Sequence, residues 1–131
     1  MGMRSTRPVG QLGEALAARY LERGGFAILA RNLRSRLGEI DLVARSGRTL
    51  VFVEVKTRRG RGGDPPQAAV DRRKQGRLAR LAAEYLARER RGPCACRFDV
   101  VAVTLEADGA AGGAPRVEHF PGAFTVDGWT G

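Results

Sequence analysis

The segment from Gly38 to Thr57 constrains this chain more than any other. GEIDLVAR (38–45) and TLVFVEVKT (49–57) are its clearest strand patterns. Ser46-Gly47-Arg48-Thr49 lies between them, and a two-residue Gly-X loop signals a type II′ hairpin turn. If Ser46 faces Thr49 across that loop, Asp41 faces Glu54 and Glu39 faces Lys56. Side chains alternate along a strand, so all four project to one face. The other face carries Ile40, Leu42 and Ala44 against Val51, Val53 and Val55, an apolar surface that must be buried. Val43 and Phe52 form an apolar pair on the charged face, which is therefore partly covered too.

The flanking sequence supplies helices. Gly10 to Arg23 reads as a helix: Leu12, Leu16 and Tyr20 run beside Gly13, Ala17 and Leu21, with Glu14 at the edge of the stripe. Gly24-Gly25 stops it. FAILARNLR (26–34) is a first strand. A second helix starts after Asp71, a good N-cap, and runs to about Arg90, with a stripe of Leu78, Leu81, Ala82, Tyr85 and Leu86. RFDVVAVTL (97–105) is a fourth strand and RVEHF (116–120) a weak last one. Residues 58–67 and 106–115 read as loops, and residues 1–9 as a flexible basic tail before a single domain, 10–131. The order predicts an α/β fold with a central mixed sheet flanked by helices. Three antiparallel strands form a meander, and a helix crossover leads to a parallel strand.

At 131 residues there is room for one such domain and not two. No apolar run approaches a membrane span, and MGMRSTRPVG is no secretory signal, so a cytoplasmic location is expected. Net charge is +9, and such a field attracts polyanions, nucleic acid before anionic membrane. A solubility surface fits the same charge. Among the cations, 21 are Arg and only two, Lys56 and Lys74, are Lys. Cys94 and Cys96 are too close for an unstrained disulfide and have no second pair with which to build a zinc site. His119, the single histidine, is read as a structural or a surface residue. Asp99 is read either as a buried, satisfied acid or as a support for a site.

The charged face of the hairpin carries the chemistry. Directly opposed carboxylates lie about 4.5–5.5 Å apart at Cβ and repel unless something compensates. A proton, Lys56 or a divalent cation would each do so, and a cation would do it best, because Mg²⁺ favours carboxylate, phosphate and water oxygens. A compact ammonium at Lys56 can polarise a water or a phosphoryl oxygen where a planar guanidinium fits differently. The plainer reading of these residues is a Glu39–Lys56 salt bridge on a half-exposed hairpin.

A helix acid, an Asp, and Glu-x-Lys on the next strand resemble the PD-(D/E)xK nuclease superfamily, with a layout similar to Holliday junction resolvases. More closely, GQLGEALAARYL, ILARNLRSRLGEIDLVA, LVFVEVKTR, AAVDRRKQGRLARLAAEYL and RFDVVAV together resemble the YraN-like family of small bacterial proteins, across roughly residues 10–105. The resemblance implies a restriction-endonuclease-like fold. It places metal-binding acids at Asp41 and Glu54, the helix acid at Glu14 and the catalytic lysine at Lys56. Ile40 stands where the superfamily has Pro.

The resulting expectation is a Mg²⁺- or Mn²⁺-dependent endonuclease acting on nucleic acid, DNA before RNA, with a homodimer suggested by the resolvase layout. Asp41, Glu54 and Glu14 would hold the metal, and Lys56 would serve the attacking water. Arg58, Arg59, Arg72, Arg73, Lys74 and Arg77 would contact phosphates. The alternatives are a non-catalytic nucleic-acid-binding protein with the same fold, and a module that binds a protein through its Arg-rich helix.

Overall fold

A computed structural model describes residues 2–60, 70–89, 94–105 and 114–124, with side chains from Val9 onward. In chain order the elements are α1 (Gly2–Arg23), β1 (Ala27–Ser35), β2 (Gly38–Ser46), β3 (Thr49–Arg59), α2 (Arg72–Arg88), β4 (Cys96–Leu105) and β5 (Arg116–Phe124). The strands form one five-stranded sheet in sequence order. β3 and β4 run parallel and every other neighbouring pair is antiparallel, which is the mixed α/β sheet expected. Arg61 and most of the 58–67 and 106–115 segments lie outside the described residues.

The central hairpin has the expected register. Ser46 pairs with Thr49, Ala44 with Val51 and Leu42 with Val53. Gly47 has φ 60 and Arg48 is not in the positive-φ region, as a type II′ turn requires. Helix ends follow local chemistry as well. Asp71 caps α2, its side chain accepting from the Lys74 N–H at 2.9 Å. At the end of α1, Gly25 has φ 94, the Phe26 N–H donates to the Leu21 carbonyl and the Gly25 N–H to that of Glu22. This is a Schellman stop. Helical backbone begins at Gly2 rather than Gly10, and Pro8 lies within it without an amide donor.

The sheet is covered on both faces. Ala17, Ala18 and Leu21 of α1 pack on Leu42, Ala44, Val51, Val53, Val101 and Val103. Leu78, Leu81, Ala82 and Tyr85 of α2 pack on the opposite face against Val43, Phe52, Phe98 and Val100. Val43 and Phe52 are therefore fully buried rather than partly covered. Ile40 departs from expectation: it belongs to the α2 cluster, not to the α1 cluster of Leu42 and Ala44. Simple alternation fails at Asp41. The paired residues of β2 and β3 end at Leu42 and Val53, so beyond that point the β3 ladder no longer holds β2 in phase. Among the described residues no helix is long and apolar enough to cross a membrane.

Candidate metal and nucleic-acid site

The site begins where the hairpin opens. Just past the Leu42–Val53 pair, the Val55 N–H, two residues beyond Val53, donates to Oδ2 of Asp41, one residue beyond Leu42, at 2.8 Å. A side chain has replaced a strand partner there, and its carboxylate is held in the gap between the two strands.

Two further acids converge on Asp41. Glu14 arrives on α1, and Glu39 stands two residues before Asp41 on β2. One carboxylate oxygen from each of the three can lie within 4.8 Å of the other two. A side-chain hydrogen bond joins Glu14 to Asp41, and Asn32 hydrogen-bonds Glu14 from β1. Asn32 has φ 51, a left-handed conformation that Asn tolerates better than most residues.

Crowding of like charge sets the electrostatics. Burial pushes the Asp41 carboxyl up to about 7, and the neighbouring charges of Glu54, Glu14 and Glu39 push in the same direction. The Val55 N–H opposes them by stabilising the carboxylate. Glu14 is also raised, first by burial and then by the charge of Glu39, against the pull of its Asn32 hydrogen bond. Below neutral pH the metal-free cluster therefore keeps a proton that free carboxyls would have lost. The donors are all carboxylate oxygens, hard and anionic, and they fit Mg²⁺ or Mn²⁺ rather than a soft metal.

Glu54 is near enough to Asp41 to be the largest charge acting on it, yet its carboxylate turns the other way and ion-pairs with Lys74 of α2. Glu14, Glu54, Lys56, Arg58, Arg59 and Lys74 line one open cleft of about 610 Å³. Both lysines of the chain are thus on the same cleft, among its acids.

The family model described as uncharacterised protein family UPF0102 matches residues 13–103. The chain belongs to the UPF0102 family. A UPF0102 protein from Syntrophotalea carbinolica is 52% identical over 92% of this chain and 94% of its own length. One from Symbiobacterium thermophilum is 57% identical over 79% of this chain and 88% of its own. One from Frankia alni is 50% identical over 95% of this chain and all of its own length. The YraN-like resemblance of the sequence blocks is to this family. Every acid of the cluster, together with Lys56 and Lys74, falls inside the span that the UPF0102 model matches.

In this UPF0102 chain the structure departs from the sequence reading of the hairpin charges in two respects. The four hairpin charges do not share one face: Glu39 and Asp41 turn to Glu14 on α1, and Glu54 turns to Lys74 on α2. The break in alternation at Asp41 is the reason. The Glu39–Lys56 bridge does not form, because Arg34 Nε, directly across β1, lies 3.2 Å from Glu39 Oε1. Lys56 is exposed and, among the described residues, in no ion pair. Lys74, read as a phosphate contact, is engaged with Glu54.

The remaining cations divide. Arg58 and Arg59 line the cleft, and Arg72 and Arg73 are exposed on the first turn of α2. Arg77 packs its stem over the β1–β2 turn, where a Cβ on Gly38 would meet its Cδ at 3.1 Å. Glu39 and Asn32 were not anticipated as site residues. Glu39 carried a signal, standing two residues from Asp41 in GEID, but Lys56 accounted for its charge. Asn32 carried none, because its role depends on a backbone conformation and on Glu14, a helix residue 18 positions away.

Asp99 is settled as a buried, satisfied acid. It is fully buried and bonded to Arg97 Nε at 2.8 Å, Arg97 Nη2 at 3.0 Å, His119 Nε2 at 2.7 Å and the Gly122 N–H at 2.9 Å. It bridges the irregularity where β4 and β5 shift register between Phe98 and Val100. Of the two readings of His119, this bond to buried Asp99 supports the structural one. Cys94 and Cys96 are free thiols with Sγ atoms 3.8 Å apart, and burial raises Cys96 to about 12, which leaves it a poor nucleophile.

Proposed function

We propose that this protein is a divalent-metal-dependent nuclease that hydrolyses phosphodiester bonds of nucleic acid, DNA before RNA. The observation that carries the reading is the carboxylate cluster in the open end of the β2–β3 hairpin, whose Glu14 lines the same cleft as Glu54, Lys56 and a cationic rim. Packing so many acids together costs stability unless their charge serves a ligand.

In this reading Asp41, Glu54 and Glu14 hold the cation, with the Val55 carbonyl as a further ligand. A cation bound there supplies Lewis-acid polarisation of the scissile phosphoryl group and lowers the pKa of a bound water. Lys56 has no ion-pair partner among the described residues, which leaves its ammonium available to orient the attacking water and share its proton. Arg58 and Arg59 at the cleft, with Arg72 and Arg73 on α2, bind backbone phosphates and set the strand in register. By resemblance the products are a 5′-phosphate and a 3′-hydroxyl, and the working unit is a homodimer.

The test is cleavage of a panel of linear duplex, branched, single-stranded DNA and RNA substrates with Mg²⁺ or Mn²⁺. Wild type should cut at least one substrate. Asp41→Asn, Glu54→Gln and Lys56→Ala should each abolish cutting while binding persists. Near-wild-type activity in the Glu54 and Lys56 variants would remove the mechanism. Metal binding without turnover on any substrate would favour a nucleic-acid-binding protein that keeps the site.

A further inference from the structure

We infer that Lys74 is a displaceable counter-ion: it holds Glu54 until a divalent cation takes that carboxylate, and the freed ammonium then engages a phosphate of the nucleic acid. The inference rests on the reading of Asp41 and Glu54 as cation ligands.

Four carboxylates stand around the open end of the hairpin, but only Glu14, Glu39 and Asp41 come within mutual ligand distance. The fourth, Glu54, is drawn off by Lys74. The two partners differ in freedom to move. The Glu54 side chain is 12% exposed and is anchored on a central strand, whereas Lys74 is 37% exposed and ends a flexible four-carbon stem. When the pair opens, the lysine is the member that can leave.

Position on α2 adds a drive. Lys74 stands in the first turn, three residues after the Asp71 cap, and that turn contains no acid. The positive end of a helix disfavours a cation there; the Asp71 carboxylate is committed to the Lys74 backbone N–H, and Glu54 is the acid that pairs with the Lys74 ammonium. Once a dication occupies Glu54, the ammonium faces both the dication and the helix terminus, and an incoming phosphate is the anion that relieves it.

Residue choice fits the same role. With 21 arginines and two lysines, this chain places a lysine here. A guanidinium would grip Glu54 through two parallel hydrogen bonds and compete with the metal, while a single-point ammonium lets go.

The test is calorimetric titration of chelator-stripped protein with Mn²⁺, comparing wild type, Lys74→Met, Lys74→Gln and Lys74→Arg, each also in a Glu54→Gln background. Removing the competitor should tighten binding about tenfold in the Met and Gln variants, and Arg should weaken it by a similar factor (about 1.4 kcal/mol each way). Both effects should vanish with Glu54→Gln. A static salt bridge predicts the reverse pattern, with weaker binding in the Met variant and wild-type behaviour restored by Arg, and that result would overturn the proposal. If wild type binds Mn²⁺ and neither Lys74→Met nor Lys74→Gln differs from it, the counter-ion role alone fails. If no protein in the series binds Mn²⁺, the metal reading fails and takes the counter-ion with it.

Anisotropy titrations of a duplex oligonucleotide then test the second half. With Ca²⁺ bound, Lys74→Met should reduce the slope of log K against log[salt] by about 0.9 relative to wild type, and without a cation it should not. Equal slopes in Ca²⁺ would show that the freed ammonium finds no phosphate.

Discussion

Gly13 and Thr57 set how closely α1 lies on β3. A Cβ at Gly13 would fall 1.8 Å from Thr57 Oγ1 and 2.8 Å from Thr57 Cβ, so helix and strand touch with no room for a methyl group. Glu14 is the next residue, and this contact brings its carboxylate to Asp41. Gly13→Ala should therefore destabilise the protein by about 1–3 kcal/mol, even though alanine is the better helix former. Thr57→Ala should recover part of that loss in the double variant, as read by urea melts. Additive single and double variants would show that the two residues do not meet.

Asp41 gives the metal-free protein an unusual pH dependence. Its carboxyl lies near 7 when folded, against 3.8 for a free aspartate. Between about pH 4 and pH 7 the folded state keeps a proton that the unfolded chain releases. Stability should fall as pH rises through this window, by at most about 1.4 kcal/mol per unit, and the penalty is complete above pH 7. Asp41→Asn should remove most of the slope, leaving the smaller contribution of Glu14, and keep the protein at least as stable as wild type at pH 8, because the amide oxygen still accepts from the Val55 N–H. Urea melts at pH 5 and 8 in chelator check this. An Asn variant with the wild-type slope would locate the titration elsewhere.

Cation binding should itself depend on pH in the direction opposite to protonation. A ligand carboxyl near 7 must lose its proton to bind, so Mn²⁺ affinity should rise up to tenfold per unit from pH 5 to 7 and then level off. Calorimetry in buffers of different ionisation enthalpy should show proton release at pH 6 and little at pH 8. No proton release at pH 6 would mean that Asp41 is not a ligand.

Asp99 separates fold from site. Two of its four hydrogen bonds, to His119 and the Gly122 N–H, tie β4 to β5, the other two hold Arg97 on β4, and none involves an acid of the cleft. Asp99→Ala should cost about 3–5 kcal/mol by leaving Arg97, His119 and the Gly122 amide without their shared acceptor. Mn²⁺ affinity of the folded fraction should not change. A selective loss of metal binding at full stability would assign Asp99 to the site.

Arg73 and Arg77 should behave differently, although both lie on the same stretch of α2. Arg73 is exposed, so Arg73→Ala should lower the salt slope of nucleic-acid binding by about 0.9 with little effect on stability. Arg77 lays its stem on Gly38, so Arg77→Ala should cost about 1 kcal/mol of stability through lost packing. Equal salt slopes for Arg73→Ala and wild type would assign this helix face to solvent or to a protein partner.

The sequence by itself determined what depends on neighbours along the chain. Gly47 specified the hairpin turn, the turn set the register from Ser46–Thr49 to Leu42–Val53, and Asp71 and Gly25 marked the helix ends. The family-matching blocks carried the candidate acids for the same reason: each acid lies within a short strand or helix pattern. Tertiary structure alone decided how those acids are shared out. Ile40 crossing to the α2 face, Glu39 joining Glu14 and Asp41, Asn32 supporting Glu14, and Lys74 taking Glu54 all join elements that are remote in the chain. Period-2 alternation describes a strand held by a ladder on both sides. At Asp41 the β3 ladder ends, and from there the two helices packed on opposite faces, rather than local pattern, direct each side chain.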